Sequence, residues 1–226
     1  SLGDILSGDI SLPVELEHPL PLFRKYLAEG YYPFAIEGDL DRRVQQIVSL
    51  TVETDIPMYA DMKATTARKL KQMLGIISEL APYKPSVDNL SQEIKVSKNN
   101  VPDYLLWLEK AGMIGQLRDD TGGMRGLGKV EKVFLDNPTL MTILSGGKPN
   151  IGNLRETFFY NQMRVDYDVM SSRISDFRIN DMTFELGGKN KGQKQIRDAE
   201  QGYVVKDDIE YRHGNVIPLF LFGLTY

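Results

Sequence analysis

The 226-residue sequence has no cysteine and only two histidines, His18 and His213. It therefore forms no disulfides, offers no thiolate to a metal and cannot support multi-histidine metal chemistry; the missing cysteines also fit a reducing compartment. No apolar run approaches the roughly 18 residues needed to span a bilayer, and the first residues lack the basic-then-apolar pattern of a secretory signal. A cytoplasmic protein without membrane contact is expected. Two glycine-rich stretches fall short of nucleotide loops. Gly122 to Gly128 lacks the Gly-Lys-Ser/Thr ending, and Gly146-Gly147-Lys148 runs into Pro149 where a magnesium-binding hydroxyl would be needed. Both read as turns, so no ATP site of that kind is expected in this chain.

What is present is ordinary for a globular protein: 42% hydrophobic and 26% charged residues. The length suffices for one large or two modest domains. The net charge of −4 is unevenly spread. Residues 1–62 carry 4 basic and 11 acidic side chains, residues 63–132 carry 12 and 8, and residues 133–226 carry 11 and 12. Phosphate affinity comes largely from Lys and Arg, so a nucleic-acid partner is expected on the middle segment.

Residues 1–18 read as a linker or boundary segment without assigned structure. From Pro19 the spacing of Leu22, Phe23, Tyr26 and Leu27 predicts a helix stopped by Gly30, and a second helix is expected from Asp39 to Thr54, closed by Asp55-Ile56-Pro57. This helical segment covers 19–62. Residues 63–135 carry the clearest pattern. Helices are predicted over 66–80, 87–94 and 98–111, the last with Ser97 as N-cap, followed by strands at 113–117 and 129–135 around a glycine-rich loop. Helix, helix, helix and hairpin is the order of a winged helix-turn-helix. In such a domain Lys98, Asn99 and Asn100 would face duplex DNA, with Lys110 further along the helix and Arg125 and Lys129 in the wing. The lone Trp107 reads as packed against neighbouring structure.

In residues 136–226 a short helix is expected over 140–144 and an amphipathic one from Ile151 to Asp166, carrying Glu156. Runs at 174–179 and 182–186, joined by Asn180-Asp181, read as a β-hairpin bearing Asp176 and Glu185. Lys189 follows. Helix-like residues at 195–199, a strand at 202–206 and a Pro218-broken run at 216–224 complete a small mixed α/β unit. Two strand carboxylates can hold a divalent ion such as Mg2+ through hard oxygens while an ammonium stabilises charge on a phosphate. The bland alternative is that they are solvent-facing strand residues.

The order Arg155-Glu156-Thr-Phe-Phe-Tyr-Asn-Gln-Met, Ser175-Asp176-Phe177, Phe184-Glu185-Leu-Gly-Gly-Lys189 resembles the C-terminal domain of a family of bacterial AAA-type ATPases. The run Phe23-Arg-Lys-Tyr-Leu-Ala-Glu-Gly-Tyr-Tyr-Pro-Phe resembles the segment just after the ATPase module in that family, and the winged-helix order resembles its middle region. The resemblance implies an α+β chain in which the helical segment and winged helix precede a restriction-endonuclease-like α/β domain. It implies catalytic roles for Glu156, Asp176, Glu185 and Lys189, a metal on Asp176 and Glu185, duplex DNA and an ATPase module as partners, and ATP bound only by that module. Here the pair reads Glu-Leu-Gly-Gly-Lys, and the extra glycines move the lysine off the strand; without a metal the clustered carboxylates would repel one another, so a nearby cation, Lys189 or Lys191, is expected to compensate them. The expectation is therefore a DNA-binding module with a degenerate nuclease-like domain that cuts poorly or not at all. A non-catalytic interaction scaffold and a winged-helix transcriptional regulator are the alternatives.

Overall fold

The computed structural model describes residues 1–10, 12, 16–120, 129–192, 196–197 and 199–225. Its first element corrects the expectation of an unstructured start. Ser1 and Asp4 form a reciprocal capping box, so α1 (Leu2–Ser7) begins at once, and Gly8 ends it in the left-handed region at φ 88°. Leu2 and Ile5 are buried with Phe23, Leu27, Phe158 and Phe222, which anchors this segment on the C-terminal core.

Pro19 opens α2 (Pro19–Lys25), where its missing N–H costs nothing, and a π-helical turn, Tyr26–Gly30, completes it. Helix α3 (Leu40–Leu50) does not stop before Pro57 as expected. A π-helical turn over Thr51–Asp55 carries it into α4 (Ile56–Tyr59). Pro57 follows directly on that turn, in which the Ile56 N–H bonds back to the Thr51 carbonyl.

The middle elements form within two residues of their expected boundaries: α5 (Ala64–Leu80), α6 (Val87–Glu93), α7 (Asn100–Lys110), β1 (Ile114–Arg118) and β2 (Val130–Leu135). Ser86 caps α6 through its hydroxyl, as its chemistry favours. Ser97 caps the preceding turn instead of α7, its Oγ accepting from the Asn99 N–H at 3.4 Å.

Asn137 caps α8 (Pro138–Leu144), and Asn150 caps α9 (Ile151–Met163). Helix α9 departs from the amphipathic expectation because Thr157 to Met163 are all buried. Its interior amides are satisfied: Asn161 donates to the Asp136 carbonyl at 2.9 Å, and Gln162 donates to Asn161 Oδ1 at 2.8 Å. Strands β3 (Val169–Ser171), β4 (Phe177–Ile179), β5 (Met182–Gly187), β6 (Gln201–Lys206) and β7 (Val216–Pro218) follow, and a 3-10 turn, Leu219–Leu224, comes after the Pro218 break. Asn180 makes the β4–β5 turn at φ 53°, a conformation Asn tolerates well.

Among the described residues the strands form one mixed sheet in the order β2-β1-β3-β4-β5-β6-β7. Pairs β1–β2, β3–β4 and β4–β5 are antiparallel, whereas β5–β6 and β6–β7 are parallel. The β1–β2 hairpin is therefore the edge of the C-terminal sheet, joined to it through Arg118 opposite Met170. Alternation along β2 splits its side chains between two cores. Val133 and Leu135 pack among the helices α3 to α8, while Phe134 packs with Phe158, Phe159, Phe177 and Phe184. No helix among the described residues is long and apolar enough to cross a membrane.

Candidate functional site: a carboxylate cluster held by lysines

Glu156, Asp176 and Glu185 come from three separate elements and meet. Register does much of this: Phe177 pairs with Phe184, so Asp176, just before β4, stands opposite Glu185 on β5. The two are tied by backbone, with Asp176 Oδ2 accepting from the Leu186 N–H at 2.8 Å. Glu156, in the second turn of α9, approaches from the adjoining helix, and its carboxylate interacts with the charges of both Asp176 and Glu185.

Like charges brought together need compensation, and two ammonium groups supply it. Lys132 Nζ lies 2.8 Å from Glu156 Oε2 and 3.9 Å from Asp176 Oδ1. Lys191 donates to Glu185 Oε1. Burial is the largest influence on both glutamates and pushes each carboxyl above its ordinary value. For Glu156 the Lys132 charge pulls back, and Asp176 and Glu185 push further up. For Glu185 the Lys191 hydrogen bond pulls back, while Asp176 pushes up. Glu185 is only 2% exposed, and its second oxygen, Oε2, has no hydrogen-bond partner among the described residues. The carboxylates supply hard oxygens, yet among the described residues no set of three or more His, Asp or Glu side chains is grouped as a metal site. Ammonium groups hold the near oxygens instead.

Of the two lysines expected to compensate the carboxylates, Lys191 reaches the cluster and Lys189, assigned the catalytic place, does not. Lys189 is exposed and presents its carbonyl to Lys206 Nζ at 3.1 Å. A strand lysine two residues beyond Glu185 would occupy position 187, which is glycine. A Cβ there would lie 2.5 Å from Lys191 Cβ and Cγ. The stem of Lys191 thus crosses the space that a side chain on residue 187 would take, and reaches the strand carboxylate from the following loop. Lys132 is the residue that sequence reasoning missed. The signal was available: it is two positions before Phe134 on an alternating strand, hence on the face turned to the C-terminal unit.

The candidate DNA residues are dispersed. Lys98 pairs with Asp88 at 2.6 Å, Asn99 and Asn100 are exposed at the start of α7, and Lys129 donates its backbone N–H to Asp119 at 2.8 Å. Lys110 lies ten residues along α7, about 15 Å at the helical rise, with its Nζ 5.0 Å from the centre of the Trp107 ring. Trp107 is half-buried and packs edge-on against Tyr59. Arg125, in the glycine-rich loop, lies outside the described residues. A polar cleft of about 510 Å³ opens elsewhere, between α7, β1 and the end of α9. Its walls are already paired, Arg164 with Asp136 and Gln116 with Glu109 at 2.8 and 2.9 Å.

Comparison with curated proteins and with solved structures gives no match. Comparison with protein families does, over a span that includes α2 through β2 and α8, and therefore Lys132, but ends just before α9 and its Glu156. Residues 20–150, more than half of the chain, match the family described as a domain of unknown function (DUF8612), and the protein belongs to that family.

Proposed function

We propose that this chain is a DNA-associated module built from a winged helix-turn-helix and a restriction-endonuclease-like domain, and that the second is a reduced nuclease that cuts DNA poorly or not at all. The observation that carries the reading is the convergence of Glu156, Asp176 and Glu185 with Lys191 where β4 and β5 run antiparallel and β6 runs parallel. Three carboxylates and a lysine are the parts from which metal-assisted phosphodiester hydrolysis is assembled. Poor cutting follows from the same geometry. Mg2+ needs a near-ideal octahedron of oxygens, and here Glu156 Oε2, Asp176 Oδ1 and Glu185 Oε1 already face ammonium groups. Duplex DNA would lie along the start of α7, where Lys98, Asn99 and Asn100 are exposed, with Lys129 on the hairpin. In keeping with the resemblance in sequence, an AAA-type ATPase module is the partner we assign to the helical segment at 19–62.

A fluorescence anisotropy titration with duplex DNA tests the reading. Weak binding without strong sequence preference is expected at low salt, falling steeply as salt rises because each neutralised phosphate releases counterions. Lys98→Ala with Lys129→Ala should weaken it further. No binding at tens of micromolar protein, or binding indifferent to both substitutions, points to the second reading, a non-catalytic scaffold. One observation favours that alternative: Met58 and Tyr59, adjacent on α4, are 79% and 83% exposed, which puts two large apolar side chains side by side on the surface.

A further inference from the structure

The lysine on β2 does not belong to the nuclease-like unit's own elements. It arrives from the hairpin that follows α7, and its ammonium takes the place between Glu156 Oε2 and Asp176 Oδ1. Asp176 turns Oδ1 toward Lys132, while Oδ2 accepts from the Leu186 N–H. Glu185 Oε1 accepts from Lys191, and Oε2 is buried without a hydrogen-bond partner among the described residues. An unpartnered buried carboxylate oxygen is costly and marks a place where a cation is wanted. Charge counting then decides what fits. Three carboxylates and two ammoniums leave one negative charge, so a divalent ion added to the closed cluster would overshoot to net positive in a half-buried site. With Lys132 gone the same ion would bring the cluster to neutrality.

We propose that Lys132 is a resident cation of this cluster, an internal lock that sits where a divalent metal would bridge Glu156 and Asp176 and keeps that metal out while β2 is docked. The inference rests on the nuclease-like reading of the domain and adds its regulation. Glu156 Oε2 and Asp176 Oδ1, the two oxygens that Lys132 now faces, would become ligands once the ammonium withdraws, and Lys191 would stay on Glu185. Because β2 also packs Val133 and Leu135 into the helical core, the lock is part of the helical half while its target is in the other.

Titration of the full chain with Mn2+, followed by calorimetry and by the electron paramagnetic resonance signal of free Mn2+, tests the lock. Wild type should bind no more tightly than about millimolar. Lys132→Met should bind at least tenfold more tightly, Lys132→Arg should remain like wild type, and adding Asp176→Asn to Lys132→Met should abolish the gain. Circular dichroism checks folding, and Lys132→Gln replaces Lys132→Met if the latter does not fold. Wild-type binding at tens of micromolar, or no gain in a folded charge-removing variant, overturns the proposal whatever the other arms show. Plasmid nicking with Mn2+ separates the two readings. Metal gained by Lys132→Met without cleavage keeps the lock and removes latent cutting, whereas cleavage by wild type removes the lock and keeps the nuclease.

Discussion

Removing Lys191 exposes what the cluster costs. Glu185 is 2% exposed, and Lys191 is the hydrogen-bonding partner of its one satisfied oxygen. Breaking a buried pair leaves a charge without compensation and costs about 3–5 kcal/mol. The Lys191 side chain is 33% exposed, so water enters when it is truncated, and the lower end, about 3 kcal/mol, applies to Lys191→Met at neutral pH. For a chain of this length that corresponds to a fall in Tm of roughly 6–12 °C. The loss should shrink as pH falls, because a protonated Glu185 needs no counter-charge. It should also shrink in the double variant Lys191→Met, Glu185→Leu, since replacing both members of a buried pair by apolar groups is often close to neutral. Urea and thermal denaturation followed by circular dichroism at pH 7.5 and pH 5 measure all of this. A loss below about 0.5 kcal/mol at pH 7.5, within the range of an ordinary surface substitution, would refute the reasoning. So would a loss that does not change with pH.

Gly187→Ala should act through the same lysine. Its Cβ would lie 2.5 Å from Lys191 Cβ and Cγ, atoms near the backbone that cannot swing clear, so a cost of about 1–3 kcal/mol is expected in denaturation. That cost should be smaller in a Lys191→Met background, and a cost unchanged there would show that the contact is not the cause. Glu156→Gln should change the pH dependence of stability. The Glu156 carboxyl is raised chiefly by burial, so the folded state holds that proton more tightly than the unfolded chain. Its stabilising contribution is complete below the unfolded carboxyl value, about 4.3, and is lost as pH climbs through the raised folded value. Glutamine does not titrate, so the variant should gain on wild type between pH 4 and pH 7; Tm values measured across that range with a constant difference would contradict the assignment.

Much of the fold was legible because local signals agreed with tertiary ones. The spacing of Leu70, Met73, Leu74 and Ile77 placed α5, and Asn180-Asp181 between alternating runs placed the β4–β5 hairpin. Those same signals put Asp176 opposite Glu185, since a two-residue turn fixes the register. What could not be read had no local signal strong enough to carry it. Strand β3 is three half-buried residues with a single pairing to β1. Helix α1 begins on a local capping box, but Leu2 and Ile5 are buried in a core that includes Phe158 and Phe222, more than 150 positions away. Which of Lys189 and Lys191 compensates the carboxylates depends on how the chain folds over Gly187, which spacing along a strand cannot describe. Helix α9 was misjudged because pattern-reading treats Asn161 and Gln162 as solvent-facing, whereas both are buried and satisfied by Asp136 and by each other.

The role of β2 follows from a period of two on a strand with a core on either side. Val133 and Leu135 fix the strand in the helical half, Phe134 fixes it in the other, and Lys132, sharing the Phe134 face, is delivered to Glu156 as a consequence. A free β-hairpin would be mobile; this one has its outer strand held in two cores and its inner strand paired into a sheet. The start of α7, where DNA is proposed to dock, belongs to a helix that packs directly on β1. From α7 to β1, from β1 across five paired positions to β2, and from Lys132 to Glu156 there is an unbroken chain of contacts. The ammonium that compensates Glu156 is thus carried on a strand seated between two cores, and the packing of both sets its place.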